Sequence, residues 1–217
     1  MKARERAGRA NSIIRLACLP SCAATLLPDL IQRFRARFPE ATFVVEDAIN
    51  SQIRTLVRDG QVDFGIGAFE SDETDLAFDP LFDDNLQVVF PPGHPLERVE
   101  HVTVSELMQY PLILINRGSS IRQAVEAAFA SSGLSPAPAC EVTYMSTAVA
   151  LVQAGLGVAI LPSTAVEVRS AGIVARPVND RAFVRHVVLI RRKAAATRTI
   201  VQRFIDTLAS PQEAVAR

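Results

Sequence analysis

No stretch of these 217 residues approaches the roughly 20 consecutive apolar positions a membrane-spanning helix needs, so no membrane partner is expected. The nearest approach is Ile13, Ile14, Leu16, Ala17 and Cys18 behind a basic N-terminus. It is short and interrupted by Arg15, and so reads as a buried strand and not an export signal. Cysteine is scarce. Cys18, Cys22 and Cys140 are an odd count without the density of a disulfide framework, which points to a reducing, cytoplasmic setting. Net charge is absent too, 23 basic residues balancing 23 acidic ones. Lys2, Arg4, Arg6 and Arg9 stand near the N-terminus with Glu5 alone against them, so the remainder is slightly acidic. Phosphate contacts supply most of the affinity of nucleic-acid binders, and this body lacks the charge to make them.

Catalytic signatures are missing as well. There is no Gly-x-Ser-x-Gly elbow and no phosphate loop ending in Gly-Lys-Ser/Thr. Gly65 and Gly67 are followed by Glu70 where a dinucleotide fingerprint requires a third glycine. His94, His101 and His186 are scattered without metal-ligand spacing, and Cys18 and Cys22 are too weak a pair to hold a metal. His94 belongs to a Pro-Gly-His-Pro surface loop, and Cys22 reads as a packing residue before a redox one. The expectation is a protein that is not an enzyme and carries no cofactor.

What is present is a globular composition, 49% apolar and 21% charged. Its strands alternate with helices. Strands are expected over residues 12–18, 42–47, 63–67, 83–90, 112–115, 140–143, 157–161, 173–176 and 184–190. One helix is expected over 23–38, where Leu26, Leu27, Leu30, Ile31, Phe34 and Phe38 fall at helical spacing around an inconvenient Pro28. Others are expected from Asn50 to Gly60, over 103–108, from Ser119 or Ser120 to Gly133, from Ser146 to Gly155, for a turn or two over 163–169, and over 194–208. Such alternation implies parallel sheets with helices on both faces. The runs 83–90 and 184–190 are candidates for strands crossing between two lobes with a cleft between them.

One junction recurs. Four strands run into helices whose first turns carry small polar residues: Ser21 and Cys22; Asn50 and Ser51; Ser119 and Ser120; Ser146 and Thr147. Each singly is an ordinary helix cap. At the carboxyl ends of parallel strands the four would border one crevice, where helix N–H groups take anions. The implied ligand is a small organic acid, the alternative being four independent caps. No nucleophile–base pair lies among these positions, so binding without chemistry is the simpler reading.

From about Ile13 to Leu208 the sequence resembles the effector-binding domain of LysR-type transcription regulators. The resemblance rests on an ordered set: the opening strand and helix with Leu26-Leu27-Pro28 and a Phe-x-x-x-Phe-Pro ending at Pro39; "LVRDGQVDFGIG" at 56–67; Pro92-Gly93-His94-Pro95-Leu96; Leu107 with Pro111-Leu112-Ile113; and "LVQAGLGVAILP" at 151–162. It implies an α/β fold of two Rossmann-like lobes of mixed, mainly parallel sheet, joined by two crossover strands, of the type 2 periplasmic-binding-protein kind. Lobe I would comprise 12–87 and 188–208 and lobe II 88–187, after the end of a linker helix over 1–11 and before a tail over 209–217. It implies an effector in the interlobe cleft, with Ser21, Asn50, Ser119 and Ser146 at contact positions beside the strand end at Gly67 and Ala68. It implies a homodimer or tetramer, with DNA bound only through an N-terminal winged helix-turn-helix that this sequence lacks. The alternative function is a solute-binding protein of a transport system with the same fold.

Overall fold

The structure, a computed structural model, describes residues 12–69 and 73–209. The basic segment with its expected linker helix, Glu70 and the tail from 210 lie outside the described residues. The chain forms two compact units, Met1–Phe82 with Val187–Arg217, and Asp83–His186. Strands β4 (Leu76–Phe90) and β9 (Val184–Arg192) each run from one unit into the other.

In the discontinuous unit, β1 (Ile13–Cys18) lies parallel to both β2 (Thr42–Asp47) and β3 (Phe64–Ala68), and β9 pairs antiparallel with β3. Phe34, Phe64 and Phe204 are fully buried beneath this sheet, with Phe34 edge-on to Phe204 at 5.1 Å. The single helix expected over 23–38 is two helices, α1 (Pro20–Thr25) and α2 (Leu27–Arg37). Proline explains both starts. Pro20 and Pro28 sit in the first turns of α1 and α2, where a missing N–H leaves no bond unmade. Helix α3 (Asn50–Arg58) buries Ile53 and Val57 against β3. A side chain at Gly65 would place Cβ 2.5 Å from a methyl of Ile53, so glycine there sets how closely helix and strand approach.

The last helix, α7 (Thr199–Ala209), starts later than expected. Residues 194–198 are not helical. Arg198 instead turns back to the amino end of the sheet, donating to the Ile13 carbonyl at 2.5 Å and pairing with Asp63 at 2.8 Å.

The continuous unit is a mixed sheet: β5 (Leu112–Ile115) is parallel to β6 (Pro138–Val142) and β7 (Val158–Pro162), while β4 is antiparallel to β7 and to β8 (Val174–Pro177). Helices α4 (Val104–Leu107), α5 (Ser120–Ser131) and α6 (Met145–Gln153) pack on it, burying Phe129, Val125, Ala148 and Val152. Strand β4 begins well before the expected residue 83, because Asp79-Pro80 looks like a break in sequence and is strand in fact. The turns expected over 163–169 shrink to one 3-10 turn, Val166–Arg169. Both units combine parallel strands with helices and carry one antiparallel strand or more, the mixed, mainly parallel α/β organisation expected.

Candidate functional site

In the discontinuous unit, parallel register brings the carboxyl ends of β1, β2 and β3 level: Cys18 stands opposite Asp47 on one side and Ile66 on the other. Ser21 and Cys22 follow β1, Asn50 and Ser51 follow β2, and Gly67 and Ala68 close β3. The sequence-predicted residues of this half therefore share one end of one sheet. Their roles differ from simple capping. The N-cap of α1 is Leu19, and Ser21 and Cys22 are buried inside the first turn with Oγ and Sγ 4.0 Å apart. The N-cap of α3 is Ile49, not Asn50 as expected. Asn50 is fully buried, and its side-chain oxygen accepts from the Ala68 N–H at 2.7 Å while its amide donates to the Ala68 carbonyl at 2.9 Å. The side chain thus imitates a neighbouring strand and pins the end of β3. Gly67 has no side chain because Asn50 is there: a Cβ would lie 2.7 Å from Asn50 Oδ1 and 2.6 Å from Ile190 Cδ1. Ser51 is exposed.

In the continuous unit the carboxyl ends of β5 and β6 are level, with Ile115 opposite Val142. Ser119 is a true N-cap of α5, its Oγ accepting from the Ile121 N–H at 3.1 Å. Ser120 follows it, 4% exposed, and accepts a hydrogen bond from Arg185 Nη1 at 3.3 Å. Arg185 is buried with Asp84, its Nη2 2.5 Å from Asp84 Oδ2. Asp84 also takes the Thr164 hydroxyl at 2.8 Å, just past the carboxyl end of β7, with longer contacts from the Thr164 N–H and the Ser163 hydroxyl. After β6, Tyr144 is the N-cap of α6, and Ser146 and Thr147 are exposed in its first turn. Of the four junctions, only Ser119 is an ordinary side-chain cap.

Sequence reasoning missed Asp84, Arg185, Thr164 and Arg122. Thr164 had a signal, since Ser163-Thr164 after a strand repeats the junction seen elsewhere. Asp84 and Arg185 had none, because nothing in a sequence announces a pairing between residues so far apart. Arg122, 1% exposed on α5, reaches the Ile115 carbonyl at 3.3 Å, Glu141 at 3.0 Å and Glu126 at 2.7 Å, tying the end of β5 to the helix.

A depression of about 480 Å³ lined by Phe38, Glu40, Arg198 and Arg203 lies by the start of α7. Arg198 ties it to the amino ends of β1 and β3, the wrong end for a ligand of this sheet type. Among the described residues no three His, Cys, Asp or Glu side chains are grouped to hold a metal, and no helix is long and apolar enough to cross a membrane.

Residues 7–211 match the family described as the LysR substrate binding domain. The chain belongs to that family. It is 32% identical over 176 residues to an uncharacterized HTH-type transcriptional regulator, YdcI, of Escherichia coli, covering 79% of this chain and 57% of the relative. It is 30% identical over 158 residues to a probable hydrogen peroxide-inducible genes activator of Mycobacterium leprae, covering 72% and 51%. The chain thus spans little more than half the length of these relatives, whose names are those of regulators and not of enzymes. Among solved structures it is similar to the effector-binding domain of QuiR in complex with shikimate, with a TM-score of 0.84, 22% identity, and 91% and 95% of the two chains covered. It is also similar to the BenM effector-binding domain with benzoate, with a TM-score of 0.81, 20% identity and 90% of each chain covered. The type 2 periplasmic-binding-protein-like fold follows from these likenesses.

Proposed function

We propose that this LysR-family domain is the sensing part of a transcription regulator. It binds a small organic acid at the carboxyl ends of the parallel strands of both units, in a cleft between two lobes. The acid controls how the full-length protein binds DNA through an N-terminal winged helix-turn-helix, and the sensing domains pair as a homodimer. The observation that carries this is the placement of Ser21, Asn50, Ser119 and Ser120, all buried, at level strand ends where the sheet presents helix N–H groups. Ser119 caps α5, Asn50 holds Ala68 and Ser120 accepts from Arg185, so these polar side chains are held in fixed positions at the strand ends. The relatives that bind shikimate and benzoate have acids for ligands.

The test is thermal unfolding of residues 1–217 with a panel of small carboxylates. A ligand that binds only the folded state, at a hundredfold excess over Kd, stabilises it by about 2.7 kcal/mol. Losing a charge-assisted hydrogen bond costs about 1.5–3 kcal/mol, so Ser21→Ala and Ser120→Ala should each weaken the active carboxylate roughly tenfold. A carboxylate that stabilises parent and variants alike refutes this location.

A further inference from the structure

Donors and acceptors in the Asp84–Arg185–Ser120 cluster have only one consistent assignment. A guanidinium has five N–H donors and no acceptor. At the 3.3 Å contact Ser120 must therefore be the acceptor, and its hydroxyl proton must point away from Arg185. Among the described residues no acceptor takes that proton, although Ser120 is only 4% exposed. The guanidinium is itself held, Nη2 lying 2.5 Å from Asp84 Oδ2, and Asp84 is held by the Thr164 hydroxyl at 2.8 Å. A buried ion pair is weak evidence of stabilisation, since apolar residues of the same volume commonly serve as well. This one joins three elements of the continuous unit, β4, β9 and the segment after β7, and ends on a serine in the first turn of α5.

We propose that Arg185 is a positioning residue for ligand selectivity. Resting on the reading above, it occupies one lone pair of Ser120 and polarises the O–H as a donor, so that this half of the site favours a carboxylate oxygen over the neutral C=O or NH2 of a primary amide at the same place. Asp84 and Thr164 fix Arg185 for that task. The positive charge behind the hydroxyl strengthens the bond it donates. A neutral amide, whether it turns its C=O or its NH2 to Ser120, gains less from this polarised hydroxyl than a carboxylate does, because only the carboxylate forms a charge-assisted bond.

The experiment is calorimetric titration of residues 1–217 with benzoate, shikimate and acetate, each beside its own primary amide. The parent should bind at least one acid about tenfold or more tighter than the amide. Ser120→Ala changes no charge and should cost the acid more than the amide. Asp84→Asn with Arg185→Gln removes both buried charges together and supplies a side chain that both donates and accepts. Its acid-to-amide ratio should fall about tenfold, towards that of Ser120→Ala. Arg185→Lys, whose ammonium also only donates, should keep the preference. If no acid binds the parent, the functional reading falls and takes this assignment with it. If an acid binds but Ser120→Ala costs acid and amide equally, or the neutral double variant keeps the parent ratio, this assignment alone is overturned. It is overturned equally if Arg185→Lys loses as much selectivity as the double variant.

Discussion

At the scale of the residue, Gly67 and Asn50 make one device. The amide of Asn50 fills the space a Gly67 side chain would need and holds both polar groups of Ala68. Gly67→Ala should lower stability by about 1–3 kcal/mol, the usual cost of overpacking, as measured by the denaturant midpoint. An unchanged midpoint would mean the amide has room to move. His94 gives a second prediction. Its ring lies 4.6 Å from that of Tyr110 and 5.3 Å from that of Phe90, and Nδ1 accepts from the Leu96 N–H at 3.2 Å, which only the neutral imidazole can do. Burial pushes this histidine below its ordinary value of 6.5, with Glu97 opposing. The unfolded chain then takes up the proton first as pH falls. The neutral ring's contribution is complete above about pH 6.5 and is lost as pH drops through the lower folded value. The melting temperature of His94→Gln should fall less than that of the parent between pH 7.5 and 5.5. Equal falls would remove His94 from the account.

Legibility in the sequence differed by residue. Ser119 and Ser120 stood out because small polar residues after an apolar strand are visible as a pattern. Asn50 was visible for the wrong reason. It looked like a cap, and its true bonds run to Ala68 on another strand, which local reading cannot reach. Arg185 was invisible: a charged residue at a strand end ordinarily faces water, and only the long-range closeness of Asp84 makes its burial tolerable.

At the scale of the element, the apolar spacing over 23–38 reported a buried face correctly but not the break within it. Leu27, Leu30 and Phe34 are buried as that spacing requires. The break sits at Leu26, because Pro28 belongs in a first turn. Pro28→Ala should therefore cost less than about 1 kcal/mol, the unfolded-chain entropy alone, where a proline in a helix interior would have been costing about 3 kcal/mol. A large gain in stability on this substitution would show the proline to be strained. Strand β4 taught the opposite lesson. Its Asp79-Pro80 mimics a loop, and its length is set by partners in the sheet that local propensity does not record.

At the scale of the whole molecule, a sensing domain that pairs needs outward apolar surface. Of the candidates on α2, Leu27 is buried in its own core, while Ile31 is only partly covered. On α5, Ala128 is buried, and Ala127 and Ala130 are exposed small side chains that let a partner helix come close. Light scattering of residues 1–217 at micromolar concentration should give twice 23.5 kDa, and Ile31→Glu should reduce it to a monomer, since a two-fold interface meets the substitution twice. A parent that is already monomeric refutes the pairing. A variant that stays dimeric refutes this surface.

The order of assembly on the ribosome follows from the way the chain is divided. The segment from Asp83 to His186 is continuous and has every strand of its sheet once residue 186 has left the exit tunnel. The other unit is synthesised first yet finishes last, because β3 lacks its antiparallel neighbour until β9 arrives and the sheet lacks Phe204 until α7 is made. For more than a hundred residues of translation, about 5–20 s at roughly 5–20 residues per second, β3 has a bare edge of Phe64, Ile66 and two glycines. A nascent chain stalled before Val187 thus carries an unpaired strand edge, and the late strand β9 is what covers it.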